Sequence, residues 1–371
     1  MKIAVFGGAF NPPHLEHINM IKAALSEGVD KVIVVPSKNP PHKSCPTSFL
    51  DRVNMLNIAL LGVKNVEIDE IENEDYNVHY SYETIPKLIN KYGKIEFIIG
   101  GDSLIDFYKW KNPEEIIKLV QLDVFYRGNR DLEFNKAKEY WQAKGAIIKV
   151  FNYKPKDMSS TLIRYNLELG FNDGLDEKVY RYIRENGLFS EYNQMLAKLS
   201  NYIYESRFMH SLRTAKYALK VNYDLSLGLD YKKVFIAGVL HDLGKATSAK
   251  EDLVKFDIPR DSIDTPIEHE FTGAIIAKED FNIQDEDILS AIRYHSTGNK
   301  DMTTLQKLIY CADLLEEGRC YGYEEKLRQA LYEDFEKGFR KCLLSQYNYL
   351  KEKGGNIYPL TKIAADYYSN K

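Results

Sequence analysis

The sequence predicts two architectures joined end to end: a doubly wound α/β domain with a parallel sheet over residues 1–190, then an all-α domain over residues 191–371. Three observations carry that expectation. Up to about residue 150, short apolar runs alternate with helix-period segments, the rhythm of βαβ units. Several of these runs end in glycine or proline turns and lack in–out alternation, as strands buried on both faces do. From Glu191 onward the strand signals disappear and helical periodicity takes over.

The elements of the first half follow in order. Residues 2–6 form an apolar strand closed by Gly7-Gly8. Asn11-Pro12-Pro13 interrupts the backbone, and a helix starting near Pro13 sets His14 and His17 on one face of its first turn. Unpaired N–H groups and partial positive charge at such a terminus, with two imidazoles, make a cradle for a polyphosphate. Residues 31–36 form a second strand. The loop 37–46 after it holds Pro40-Pro41-His42-Lys43, a rigid turn with two cations beyond a strand's carboxyl end, where ligands sit in such folds. A helix opens at Phe49. Residues 66–69 with Ile71 read as a third strand, and Ser81-Tyr82-Glu83-Thr84 as a helix start. Residues 95–99 are a buried strand running into Gly100-Gly101-Asp102, with Trp110 on the next helix; residues 123–126 and 147–151 complete the sheet. Ser159, Ser160 and Thr161 then offer hydroxyl and backbone donors at a helix start, and Arg164 adds a forked cation.

Bulk properties narrow the function. The chain of 371 residues is 44% hydrophobic and 28% charged, a globular composition with room for two or three cores. A net charge of -4 gives no overall pull toward nucleic acid. The opening strand leaves no place for a signal peptide and no apolar run is long enough to span a bilayer, so a cytoplasmic protein without a membrane partner is expected. Four cysteines without CxxC spacing argue against a zinc knuckle or a disulfide framework. Neither GxGxxG nor GxxxxGK(S/T) occurs, which disfavours a hydride-transfer site and a P-loop. Nothing opposes a homo-oligomer.

In the second half the informative residues are His210, His241-Asp242, His269, His295 and Asp313, each on or beside an apolar helix-like segment such as residues 234–240. One histidine on an apolar helix is usually a hydrogen-bonded structural residue. Four histidines with two aspartates form a different proposition: six imidazole and carboxylate ligands suffice for two ions of iron, manganese, magnesium or zinc, with positions left for water and substrate.

The run from Gly7 to His17 resembles the GG(T/S)F(D/N)PPHxGH signature of bacterial nicotinate-mononucleotide adenylyltransferases, which have a Rossmann-like nucleotidylyltransferase fold. The segment from Ser81 resembles that family's SYT-type turn, Ile99–Trp110 its IGxDxL…W pattern, and Met158–Arg164 its ISSTxIR signature. The resemblance implies that Gly7, Gly8, Phe10, Asp102, Ser159, Ser160 and Thr161 bind ATP and that Tyr82, Thr84 and Trp110 contact the mononucleotide. It further implies that His14, His17, Lys43, Arg164 and Mg2+ stabilise charge while the mononucleotide phosphate attacks the α-phosphorus of ATP. The glycine between the two family histidines is here Glu16, projecting about 200° from His14 and about 100° from His17 on a helix. One alternative is therefore a domain impaired by Glu16 that senses nucleotide for the second domain; another is a different acceptor, such as phosphopantetheine.

The spacing of the later histidines and aspartates resembles the HD phosphohydrolases. Residues 210–215, 241–245, 268–274, 295–298 and 312–316 are similar to the YqeK group, which cleaves diadenosine tetraphosphate symmetrically into two ADP. That resemblance implies a binuclear metal centre of iron held by His210, His241, Asp242, His269, His295 and Asp313. Asp242 would bridge the ions, and Lys245 would neutralise the transition state. Ser296 stands where the group has threonine. HD relatives also act on deoxynucleotides and alarmone-type nucleotides, so the substrate rests on the resemblance.

Overall fold

The computed structural model describes residues 1–40, 45, 47–73, 79–128, 130–245, 258–354 and 357–369. The chain divides into two compact units, Met1–Phe189 and Ser190–Lys371. Among the described residues no helix is long and apolar enough to cross a membrane.

The first unit is built on six strands: β1 (Ile3–Gly8), β2 (Lys31–Pro36), β3 (Val66–Ile68), β4 (Ile95–Gly100), β5 (Gln121–Phe125) and β6 (Ile148–Val150). They pair in parallel throughout in the order β3-β2-β1-β4-β5-β6, the expected doubly wound topology. Between and after them run α1 (Leu15–Ser26), α2 (Phe49–Ala59), α3 (Ser81–Tyr92), α4 (Gly101–Ile105), α5 (Pro113–Leu119), α6 (Asp131–Ala143), α7 (Ser160–Glu168) and α8 (Glu177–Glu185). Strand pleating sorts the core into two layers. Val5, Ile33, Phe97 and Leu122 pack with Ile85 and Leu88 of α3 on one face, while Ala4, Phe6, Val34 and Ile98 pack with Ile18 and Ile21 of α1 on the other. The strand order reverses at β1, between β2 and β4, so the carboxyl ends of β1 and β4 flank the crevice where ligands bind in this architecture.

Three expectations shift locally. Helix α1 begins at Leu15, not near Pro13, because His14 keeps an extended backbone and caps it. Ile71 leaves the sheet: the Asp69 carboxylate accepts its N–H at 3.1 Å and starts a single 3-10 turn. Trp110 is not on a helix. It ends the 3-10 turn Phe107–Lys109, since Asn112 adopts a left-handed conformation (φ 51°) and Pro113 opens a new helix.

The second unit is helical: α9 (Asn193–Tyr202), α10 (Glu205–Asp224), α11 (Tyr231–Leu240), α12 (Glu268–Glu279), α13 (Glu286–Arg293), α14 (Thr304–Leu315), α15 (Glu324–Glu333), α16 (Phe335–Glu352) and α17 (Pro359–Ser369). Helix α11 is buried from Val234 to Leu240, which explains its uninterrupted apolar run. After it, Gly244 lies against the start of α12 so closely that a Cβ there would sit 2.1 Å from the His269 carbonyl oxygen. That approach, open only to glycine, brings the turn carrying His241 and Asp242 against His269.

Candidate active sites

In the first unit, β1 delivers Gly7 and Gly8 to the crevice and α1 delivers the histidines. Each ring accepts the other residue's backbone N–H: His17 Nδ1 from His14 at 3.2 Å, and His14 Nδ1 from His17 at 3.4 Å. The rings stack at 3.5 Å. With both Nδ1 atoms used as acceptors, each neutral imidazole carries its proton on Nε2 and keeps a donor there. Burial lowers the His14 pKa to about 4, so it remains neutral across the physiological range. Phe10 is buried beneath this pair, edge-on to His17 at 5.1 Å, and Gly8 lets it in: a Cβ at 8 would meet the Phe10 ring at 3.1 Å.

Glu16 is turned away from the imidazoles. It is buried, and its carboxylate accepts the Tyr153 hydroxyl at 2.6 Å and the Asn19 amide at 3.4 Å. Arg164 reaches back from α7 to the β1–α1 loop, donating to the Asn11 carbonyl at 2.8 Å and to Thr161 Oγ1 at 3.1 Å. Ser159 caps α7, and the Ser160 hydroxyl donates to the Pro12 carbonyl at 3.5 Å. The motif at 159–164 is thereby tied to the segment before His14. Asp102 sits at the head of α4, ion-paired with Arg127, which also pairs with Asp157. Lys43 lies outside the described residues.

Beside Gly7 and Gly8 opens a cavity of about 270 Å³, walled by Phe97, Trp110, Thr84 and Tyr80. Trp110 packs on Phe107 at 5.0 Å and edge-on to Phe97 at 6.3 Å. Thr84 is buried and donates to Glu72 at 3.1 Å, while Tyr82 donates to Glu83 and lies outside the cavity wall. Burial pushes the Glu72 carboxyl up. Sequence reasoning missed Glu72, and it also missed Arg52. That buried guanidinium donates to the carbonyls of Ala9 (2.7 Å), Ser37 (2.6 Å) and Lys38 (3.0 Å), fixing both loops around the cavity.

In the second unit, α10, the end of α11, α12, the turn after α13, and α14 bring all six expected ligands together. In each of three overlapping groups, His210–His241–Asp242, His241–His295–Asp313 and Asp242–His269–His295, the ligand atoms lie within 4.8 Å of one another. Asp242 Oδ2 faces His241 and His210 at 3.7 and 3.8 Å, whereas Oδ1 faces His295 and His269 at 3.5 and 3.6 Å. One carboxylate thus spans two imidazole pairs.

The outer nitrogens fix the inner ones. His241, His269 and His295 donate from Nδ1 to the carbonyls of Gly238, Pro266 and Ile292 at 2.7–2.8 Å, and His210 Nδ1 donates to Glu316 at 3.1 Å. Inside, His269 and His295 meet Nε2 to Nε2 at 3.2 Å, as do His210 and His241. Facing lone pairs repel unless a cation lies between them, and Asp242 Oδ1 is buried without an aligned hydrogen bond. Imidazole and carboxylate donors with no thiolate fit a divalent metal pair. Burial would raise Asp242 and Asp313, but the surrounding histidines hold both well below the usual carboxylate range.

Charged residues surround this centre: Lys245 is expected from the sequence, whereas Arg207 and Arg319 are not. Arg319 Nη2 lies 2.6 Å from Asp313 and 3.2 Å from His210 Nε2; Arg207 lies 3.0 Å and Lys245 Nζ 2.9 Å from Asp242. Burial would raise Glu316, yet hydrogen bonds from His210 and Arg213 bring it down to about 2. Glu270, wholly buried, accepts the N–H groups of Ser296 and Thr297 at 2.8 and 2.7 Å and both hydroxyls, holding the turn that presents His295. Serine at 296 makes the same type of bond a threonine can.

A cytidylyltransferase-like family model matches residues 5–166, and an HD-domain model matches residues 207–318. The chain is similar to a probable nicotinate-nucleotide adenylyltransferase/Ap4A hydrolase of Mycoplasma genitalium, 28% identical over 86% of this chain and 88% of that protein. It is also similar to a probable nicotinate-nucleotide adenylyltransferase of Clostridium acetobutylicum, 35% identical over 51% of this chain and 98% of the relative. Among solved structures, a predicted HD superfamily hydrolase involved in NAD metabolism, also from Clostridium acetobutylicum, is 31% identical over 49% of this chain and 98% of its own, with a TM-score of 0.45.

Proposed function

Because the chain belongs, through its first unit, to the nicotinate-nucleotide adenylyltransferase family, we propose that this unit transfers adenylyl from ATP to nicotinate mononucleotide, releasing pyrophosphate and forming nicotinate adenine dinucleotide. The second unit splits diadenosine tetraphosphate symmetrically into two ADP. The relative with both activities in its name aligns over most of this chain, and each half here carries a site of matching chemistry. We assign the reactions to residues 1–190 and 191–371 and, since both use free nucleotides, to the cytoplasm.

The observation that carries the transferase is the pair of Nε2–H donors at the head of α1 beside the aromatic cavity. Neutral imidazoles held by their own helix backbone donate to the ATP phosphates without reorganisation. Arg164, with Ser159, Ser160, Thr161 and Lys43, meets the remaining phosphate charge, and Mg2+ accompanies ATP. Gly7 and Gly8 leave room for nucleotide, Phe10 supports the histidines from below, and Asp102 contacts the ribose. The pyridine ring of the mononucleotide enters the cavity against Trp110, with Thr84 and Tyr82 on the same helix. No covalent intermediate is needed; alignment and charge stabilisation suffice. Since Glu16 is engaged by Tyr153, it leaves the phosphates alone, which favours an active enzyme over a sensor.

In the hydrolase, His210, His241, Asp242, His269, His295 and Asp313 would hold two divalent ions, proposed to be iron, with the Asp242 carboxylate available to both imidazole pairs. A metal pair there supplies Lewis acidity that lowers the pKa of water toward neutrality. Lys245, Arg207 and Arg319 place positive charge where the polyphosphate gains negative charge.

Chromatography of products tests both readings. With MgATP and nicotinate mononucleotide, the native chain should yield dinucleotide and equimolar pyrophosphate, and a Glu16→Gly variant should do the same. No product from the native chain but product from Glu16→Gly would return the sensor reading. With diadenosine tetraphosphate and metal, ADP should be the sole nucleotide product; AMP with ATP would exclude symmetrical cleavage.

A further inference from the structure

Six and eight residues beyond α14, the aromatic pair Tyr321 and Tyr323 follows the metal-ligand segment. Tyr321 is 49% exposed. Its ring lies parallel to that of Tyr323, with centroids 5.7 Å apart and planes within 17°. The Arg319 guanidinium lies 5.8 Å from the Tyr321 ring centroid, and its Nη2 reaches Asp313 and His210 in the ligand cluster. One guanidinium therefore links the metal ligands to a half-exposed aromatic ring. The turn that presents this face is fixed. Glu324 accepts the N–H groups of both Tyr321 and Tyr323, at 2.9 and 3.0 Å, and Gly322 (φ 89°) allows the bend between them.

We infer that Tyr321, backed by Tyr323, is the platform on which a nucleobase stacks when its phosphates are held at the metal centre and Arg319. The inference rests on the hydrolase reading and deepens it: the site takes a nucleoside polyphosphate and recognises its base, not phosphate alone. An exposed ring costs little to cover, and it is already held flat, so stacking loses little conformational entropy. Two rings with centroids 5.7 Å apart leave no room for a base between them, so the base packs on the outer face of Tyr321. Stacking tolerates any base, because every base offers a π-face.

Tyr321→Ala, Tyr321→Phe and native full-length chains, loaded with manganese, are compared in two ways. In hydrolysis of diadenosine tetraphosphate, Tyr321→Ala should raise KM about ten-fold with kcat nearly unchanged, and Tyr321→Phe should restore the native KM. In calorimetry on the same chains carrying His14→Ala to silence the first site, Tyr321→Ala should weaken ADP about ten-fold and leave inorganic pyrophosphate unchanged. Equal losses for ADP and pyrophosphate, or failure of Tyr321→Phe to restore ADP binding, would overturn the platform and reduce Tyr321 to a support for the turn. If the native chain splits no diadenosine tetraphosphate while ADP binding still depends on Tyr321, the substrate reading falls and the platform stands. If hydrolysis proceeds and neither variant changes KM or ADP affinity, the platform falls alone.

Discussion

The histidine pair at the head of α1 and the histidine cluster of the second unit, both proposed to act on phosphates, are built in opposite ways. His14 and His17 satisfy each other's backbone through Nδ1, which places the ring proton on Nε2. The four histidines of the second unit spend Nδ1 on neighbouring groups and leave Nε2 atoms facing one another, so that site calls for a cation. Both folds consume Nδ1; whether that atom accepts or donates decides whether Nε2 is left as a hydrogen-bond donor or as a metal ligand.

The sharpest way to break this contrast is the double change His241→Ala with Asp242→Ala. Metal content measured by elemental analysis should fall to background and hydrolysis by roughly three orders of magnitude, with transferase activity intact. Metal retained with unchanged hydrolysis would refute the centre. Next in size, His14→Ala should slow adenylyl transfer about 100-fold, the loss expected for one preorganised donor, without touching hydrolysis.

The pH response of that histidine separates the sites further. Its folded pKa of about 4 lies below its unfolded value, so it contributes no penalty above about pH 6.5. As pH falls from there toward 4, the unfolded chain takes up a proton that the folded one refuses, and stability drops. Transferase assays between pH 8 and 5 should therefore show no acid limb from His14; a limb near pH 6.5 would mean the ring is charged and the donor assignment wrong. A milder contrast comes from chelation. Stripping divalent metal should lower the melting temperature of the second unit by about 5 °C and leave the first unchanged. The smallest effect belongs to Glu16→Gly, with transfer rate within about three-fold of native and a stability loss of about 1 kcal/mol from glycine in a helix, measured by urea unfolding.

Much of this was readable in the chain. The parallel sheet followed from apolar runs ending in glycine turns, and the six ligand positions from histidines and aspartates on apolar segments. The residues that hold those groups in place were not. Glu316 pairs with a histidine 106 positions away, Arg52 binds three carbonyls in two separate loops, and Glu270 serves a turn 26 residues on. In a sequence each looks like one more charge on a helix, because the desolvation that makes it structural exists only after folding. Glu16 illustrates the same limit: helical geometry gave its direction but not the Tyr153 hydroxyl waiting for it.

That last contact links two positions 137 residues apart into one mutational unit. Losing the tyrosine hydroxyl first leaves a buried carboxylate with only the long Asn19 bond, at a cost of about 1–3 kcal/mol, while losing Glu16 first removes the partner of only a neutral hydroxyl. The two orders of substitution are unequal, and the effects should be non-additive in a double-mutant cycle. Substitution toward the motif's glycine therefore has a preferred order, position 16 before position 153.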